Sequence, residues 1–302
     1  MTADVQRRRG TGLTMNVSTP VVKQTMSQTP FDLPIRRDLR WDFSGVNARF
    51  VADDVLVNHL WTAFSLGAPG IERFFISALR PLADGIGDEK LRQDMHGMLA
   101  QEAMHAAAHA KFNRELLAKG VSLQRATAHI DEIVTWISSN FEAMDMVGIV
   151  AAGEHMLYSF AILYLSDENI GASMSPEAQR LFEYHMLEEA EHGAVSHDIF
   201  RYFCKGSYFH RVRTAFIAAR AINRLLLGTV RILIEDGPDK ITWRNWLRFW
   251  RYGLLRPGLF RIMAVRLLQY LSPFYRLSFK AGDQAVRKKY EDRLYASQPV
   301  AP

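Results

Sequence analysis

Two short sequences constrain this chain more than anything else in it. Gln101-Glu102-Ala103-Met104-His105 and Glu188-Glu189-Ala190-Glu191-His192 lie 87 positions apart, and each carries Glu-x-x-His. Residues three apart share one face of an α-helix. Glu102 and His105 can therefore point the same way from one helix, and Glu189 and His192 from another. A further glutamate precedes each pair: Glu72 lies 30 residues before Glu102, and Glu154 lies 35 before Glu189. The order Glu, Glu-x-x-His, Glu, Glu-x-x-His reads as a duplicated helical hairpin.

Four carboxylates and two imidazoles on four inward helix faces form the donor set of ferritin-like di-iron and di-manganese carboxylate centres. Burying four carboxylates without compensation would cost several kcal/mol for each ion. Two divalent cations cancel that charge. The expected metal ligands are Glu72, Glu102, His105, Glu154, Glu189 and His192. Glu154 carries the most weight, because Ala-Ala-Gly and Met-Leu-Tyr flank it and leave it little polar company except His155. The expected cofactor is a pair of divalent metal ions, iron first, with manganese and zinc also suited to these donors.

Other residues share the ligand faces. His109 falls one turn after His105, and His185 one turn before Glu189. Both are expected to orient ligands, the sharper alternative being that one is a seventh ligand. Tyr158, one turn from Glu154, is a candidate for hydrogen bonding or redox chemistry beside the metals, against the plainer reading of a core tyrosine. His109, His185 and Tyr158 are the catalytic candidates. Glu188 and Glu191 read as surface charges or as supports to the ligands. His197 has a poorer spacing, and His155 should point about 100° away from Glu154.

The surrounding pattern is helical, so the expected fold class is all-α: a ferritin-like four-helix bundle with a helical C-terminal extension. Core helices are expected near 53–80, 88–119, 128–166 and 175–204. The first should be interrupted or kinked at Gly67-Ala68-Pro69-Gly70; the third is expected to break near Asn140. Ser175-Pro176 starts the fourth as cap and first helical residue. Residues 1–33 read as a disordered tail, 34–206 as the bundle and 207–302 as a basic, aromatic-rich extension of three helices.

Charge is divided along the chain. Residues 201–302 hold 20 Lys+Arg against 6 Asp+Glu, whereas residues 1–200 carry a net −9. An acidic part suited to cations is thus followed by a basic part suited to anions. The extension interleaves Arg with aromatic residues, as in Trp243-Arg244-Asn245-Trp246, and a peripheral membrane contact through 207–302 is one expectation for it. No nucleic-acid motif is present, so no specific nucleic acid is expected. A small-molecule substrate and a homodimer complete the expected partners.

The single cysteine, Cys204, excludes an internal disulfide and multi-thiolate metal sites. The most apolar stretch, Met144 to Leu165, contains Asp145, Glu154 and His155 and reads as a buried bundle helix rather than a membrane span. A cytoplasmic location, with membrane association through the extension, is the resulting expectation.

From Pro34-Ile35-Arg36-Arg37 through the two Glu-x-x-His segments, the chain resembles the bacterial proteins known as predicted metal-dependent hydrolases, over about residues 34–280. The resemblance implies a ferritin-like fold and matches the six ligand positions one for one. More distantly, the helix pairs resemble di-iron oxygenases, desaturases and ferritins. Two reactions follow as expectations: oxidation of an apolar organic substrate by O2 at a di-iron centre, or hydrolysis by a metal-activated water. No Gly-x-Ser-x-Gly elbow is present, so hydrolysis would be metal-driven. Iron storage ranks below both, since a basic extension is awkward inside a shell.

Overall fold

A computed structural model describes residues 25–33, 37, 39–52, 54–277 and 281–296. The described residues are all-α, with no strand and one isolated bridge between Val51 and Met174. The helices are α1 (Val55–Leu79), α2 (Glu89–Ala118), α3 (Gln124–Asn140), α4 (Ala143–Ser166), the single turn α5 (Asn169–Ala172), α6 (Pro176–His192), α7 (Val195–Cys204), α8 (Tyr208–Asp236), α9 (Trp243–Leu254), α10 (Leu259–Tyr270) and α11 (Ala281–Ala296).

Four of these carry the site. α1 packs along α2, α4 packs along α6, and contacts of α1 with α4 and of α2 with α6 close the bundle. α8 lies across α4, α1 and α3; α9 rests on α1, α10 on α4 and α9, and α11 on α6. The core between them is continuous and built largely of Leu, Ile, Val and Phe side chains. α4 is long and apolar enough to cross a membrane, but 78% of its most apolar window is buried inside the protein.

Local chemistry explains several helix ends. Asp54 caps α1 by accepting from Leu56 N, and Asp88 caps α2 by accepting from Leu91 N. Ser175 caps α6, with Pro176 in the first helical position. Gly120 takes φ +86° after α2, a left-handed stop that a side chain would strain.

Three expectations need correction. The interruption at residues 67–70 is absent: α1 runs unbroken through Pro69. A helix-interior proline removes one backbone bond, at a cost of about 3 kcal/mol or more. The carbonyl it frees belongs to Ser65, and Asn113 Nδ2 of α2 donates to that oxygen at 2.9 Å. A tertiary partner thus replaces the missing local one. The glycines on either side serve packing: a Cβ on Gly67 would lie 2.9 Å from Leu225 of α8.

Second, the expected helix over 175–204 is divided after His192. At Gly193 a Cβ would sit 2.5 Å from the Tyr158 ring, so a side chain here would have to displace that ring. Third, the extension holds four helices rather than three, because a turn around Arg256–Gly258 separates α9 from α10. Of the expected tail, residues 1–24 lie outside the described residues. Residues 25–33 are irregular but tied down: Met26 N and Thr25 Oγ1 donate to Asp88, Ser27 Oγ to Asp94 and Gln28 N to Asp198.

Candidate metal centre

The six candidate ligands meet in the middle of the bundle: Glu72 from α1, Glu102 and His105 from α2, Glu154 from α4, and Glu189 and His192 from α6. Five are 0% exposed and Glu72 is 2% exposed. They fall into two groups whose donor atoms lie within 4.8 Å of one another. One holds Glu72, His105 and His185; the other holds Glu102, Glu154, Glu189 and His192.

Glu102 and Glu189 stand between the groups. Glu102 lies 2.9 Å from His192 Nδ1 and 3.8 Å from His105 Nδ1. Glu189 Oε1 lies 3.3 Å from His185 Nε2, 3.7 Å from His105 Nδ1 and 3.8 Å from His192 Nδ1. These two carboxylates are thus within reach of imidazoles from both groups.

The protein alone leaves this cluster unsatisfied. Both oxygens of Glu72, Glu154 and Glu189 are buried without a hydrogen-bond partner, as are His105 Nδ1 and His185 Nε2, and Glu102 has only His192 Nδ1 at 2.9 Å. Buried polar atoms are normally paired, so this many convergent orphans mark a place for something else. Electrostatics agrees. Burial, reinforced by the neighbouring carboxylates, pushes Glu72, Glu154 and Glu189 well above the usual carboxylate range. Glu102 alone is drawn down against burial, to about 2, by His105 and His192. Burial would depress His105, but Glu102 and Glu188 hold it well above its ordinary value. Charges this strained want cations, and carboxylate with imidazole suits divalent metals.

The supports repeat the symmetry of the sequence. The residue before each paired glutamate reaches across to the opposite histidine: Glu188 Oε2 lies 2.9 Å from His105 Nε2, and His192 Nε2 lies 3.1 Å from Gln101 Oε1. Each contact leaves Nδ1 toward the centre and fixes the ring, as outer partners of metal-bound histidines do. Glu188 is in turn held by Arg37 Nη1 at 2.9 Å, and Glu191 accepts from Arg37, Arg287 and Gln101. Glu188 and Glu191 are therefore buried supports, and the surface reading of them is corrected.

His185 and His109 form a separate chain. His109 Nε2 lies 2.9 Å from His185 Nδ1, Ser65 Oγ lies 2.9 Å from His109 Nδ1, and Ser65 Oγ donates to Asn113 Oδ1 at 2.8 Å. Both rings are held far toward the neutral form by burial, His109 at about 3. Read in one direction, His185 Nδ1–H donates to His109, and His109 Nδ1–H donates to Ser65. This assignment follows from the partners, and it leaves His185 Nε2 free, 3.3 Å from Glu189 Oε1, while the Nδ1 side of the ring lies 3.7 Å from Glu72 Oε1. His185 thus sits among the donors and His109 behind it.

His155 and His197 face away from the cluster, whereas Tyr158 sits at its border. The Tyr158 ring packs against Gly193, the residue after His192. His155 faces the extension, its Nε2 donating to Arg266 O and its Nδ1 accepting from Tyr275. His197 stacks among Phe200, Tyr270 and Tyr275.

Sequence reasoning missed Arg37, Gln101 and Ser65 as parts of this site. Gln101 had a signal, because it occupies in the first repeat the position of Glu188 in the second. Arg37 and Ser65 had none, since each arrives from a distant segment.

An apolar cavity of about 530 Å³ opens beside the first group. Glu72 and His185 form its polar end, and its walls include Trp61, Phe64, Phe75 and Phe160. Its size lies within the range of small-molecule sites.

Fold and centre together define an all-α protein with a buried carboxylate–histidine cluster built to hold metal. The chain belongs to the family described as predicted metal-dependent hydrolase, whose family model matches residues 35–276. No curated protein and no solved structure matches it.

Proposed function

We propose that this protein is a two-metal enzyme of ferritin-like design acting on a largely apolar small molecule. The observation that carries the reading is the junction of two features: seven convergent, largely unpartnered buried donors, and an apolar cavity that reaches them at Glu72 and His185. Two divalent cations held there would supply Lewis acidity and an activated water for hydrolysis or, as iron, electrons for O2 chemistry.

The chain's own residues do the rest. Glu102 and Glu189 hold the two positions together. Glu188, Gln101 and His109 fix the rings of His105, His192 and His185. The aromatic walls exclude bulk water and align an apolar substrate toward Glu72 and His185.

Hydrolysis is the reaction that the family description supports. A second reading, O2-dependent oxidation, is supported by the donor set as a whole, four carboxylates with imidazoles on four helices, which suits a pair of irons. Metal analysis of anaerobically purified protein, followed by two assays, separates them. Turnover of a chromogenic ester with zinc or manganese under anaerobic conditions supports hydrolysis. Two irons per chain and O2 uptake after reduction support oxidation. A protein that retains no metal overturns both.

A further inference from the structure

The face of the molecule around the cavity mouth is unlike the rest. On α9, Trp243, Trp246, Leu247, Trp250 and Leu254 follow one another at helical spacing, and all point outward, with exposures from 43% to 70%. The opposite side of α9 is the packed one: Phe249 and Gly253 are buried, and Tyr252 accepts from Trp61 Nε1. This helix thus shows water the side that a soluble bundle would hide. α10 continues the surface with Val265 and Leu268, and Leu255 and Phe274 stand exposed in the flanking turns.

The charge on this surface is of one sign. From residue 240 to 277 the sequence contains Lys240 and seven arginines and no Asp or Glu. Arg244, Arg248 and Arg251 form an exposed band along α9 directly beside the Trp stripe. Among the described residues, no carboxylate pairs with Arg244 or Arg251.

The cavity comes out within this surface. Trp250 belongs both to the exposed stripe and to the cavity wall, and Leu227 of α8 and Ala264 of α10 are wall residues that are also exposed. From there the walls run inward to Glu72 and His185.

We propose that α9 and α10 dock on an anionic lipid bilayer and that the cavity admits the apolar chain of a lipid directly from it. The Trp and Leu side chains would enter the headgroup–acyl boundary while the arginine band meets the anionic headgroups, the two contributions that hold an interfacial helix. A second copy of this chain fits the face less well, since pairing it with itself would oppose two basic bands. The substrate is then a lipid or long-chain amphiphile whose apolar part lies along the cavity, with its reacting group at the Glu72 end. This deepens the function proposed above and rests on its reading of the cavity as the substrate site.

Sedimentation of the full chain with phosphatidylglycerol-containing vesicles, against pure phosphatidylcholine vesicles, tests the docking. The expected result is binding to the anionic vesicles, weakened roughly thirtyfold or more by R244E/R251E and also lost in W243A/L247S. These four residues are exposed and outside the cavity wall, so the variants are expected to fold, and circular dichroism checks that they do. Binding that is absent, that ignores these substitutions, or that gives way to a dimer burying the face overturns the docking.

A soluble dansyl-labelled fatty acid probes the cavity separately. A264W, at the mouth, should block the probe while leaving vesicle binding intact. A probe that binds while vesicles do not leaves the substrate reading standing and removes the membrane; a probe that never binds removes the substrate reading itself.

Discussion

The two donor groups are built from the same repeat, yet they are not equivalent. Glu72 and His185 border the apolar cavity and, with His105, combine one carboxylate with two imidazoles. Glu102, Glu154, Glu189 and His192 include no cavity-wall residue and combine three carboxylates with one imidazole. Their supports differ as well: a carboxylate anchored by Arg37 backs His105, while a neutral amide backs His192. With Glu102 and Glu189 standing between them, the two groups differ chiefly by one imidazole: His185 joins the cavity-side group and has no counterpart in the other. A repeated scaffold can divide labour by changing only the residues beside its ligands.

The strongest test of this comparison is E189A. Glu189 lies near imidazoles of both groups, so both cations should be lost, as read by metal analysis of the purified protein. Retention of either would show that the groups are independent. A smaller and selective effect is expected from E154A and E72A. E154A should empty the position away from the cavity; E72A should spare that position and weaken the cavity-side one. Full occupancy in E154A would remove Glu154 from the donors.

Smaller again are substitutions of the supports. E188Q and Q101L should each weaken metal affinity roughly 10- to 100-fold, measured by competition with a chelator. E188Q should act on the cavity-side cation and Q101L on the other. Equal effects on both cations would erase the distinction between the two groups.

The smallest effect concerns the opposite side of α4. Glu154 faces the centre, and His155, its neighbour, faces the extension. Burial holds His155 down to about 4, against about 6.5 in an unfolded chain. A histidine depressed on folding contributes stability that is complete above the unfolded value and is lost as pH falls toward the folded one. Unfolding free energy should therefore decline by up to about 1.4 kcal/mol per pH unit between about 6.5 and 4. H155Q, which keeps a donor for Arg266 O, should flatten that slope in denaturant titrations. An unchanged slope would assign the acid sensitivity to other groups.

Much of this organisation was legible without coordinates. The all-α class followed from periodicity, and the six candidate donors followed from two three-residue spacings and two lone glutamates in apolar surroundings. Such features are local, because one helical turn decides which residues share a face. Local reasoning failed at Pro69, where the expected break is bridged by Asn113, a residue 44 positions away. It left Glu188 and Glu191 open between surface charges and supports, and only the arrival of Arg37 decides for buried supports.

What the sequence determined by itself, then, is a helical chain with inward carboxylates and imidazoles on four helices, and a basic aromatic segment after them. Only the tertiary structure decided that the donors divide into two unequal groups, that His185 joins one of them, and that an apolar cavity connects the centre to the arginine–tryptophan face. The physical reason is the range of the interactions. Helical period and charge are written into neighbouring residues, whereas a shared carboxylate, a cross-helix support and a cavity exist only where distant segments pack together.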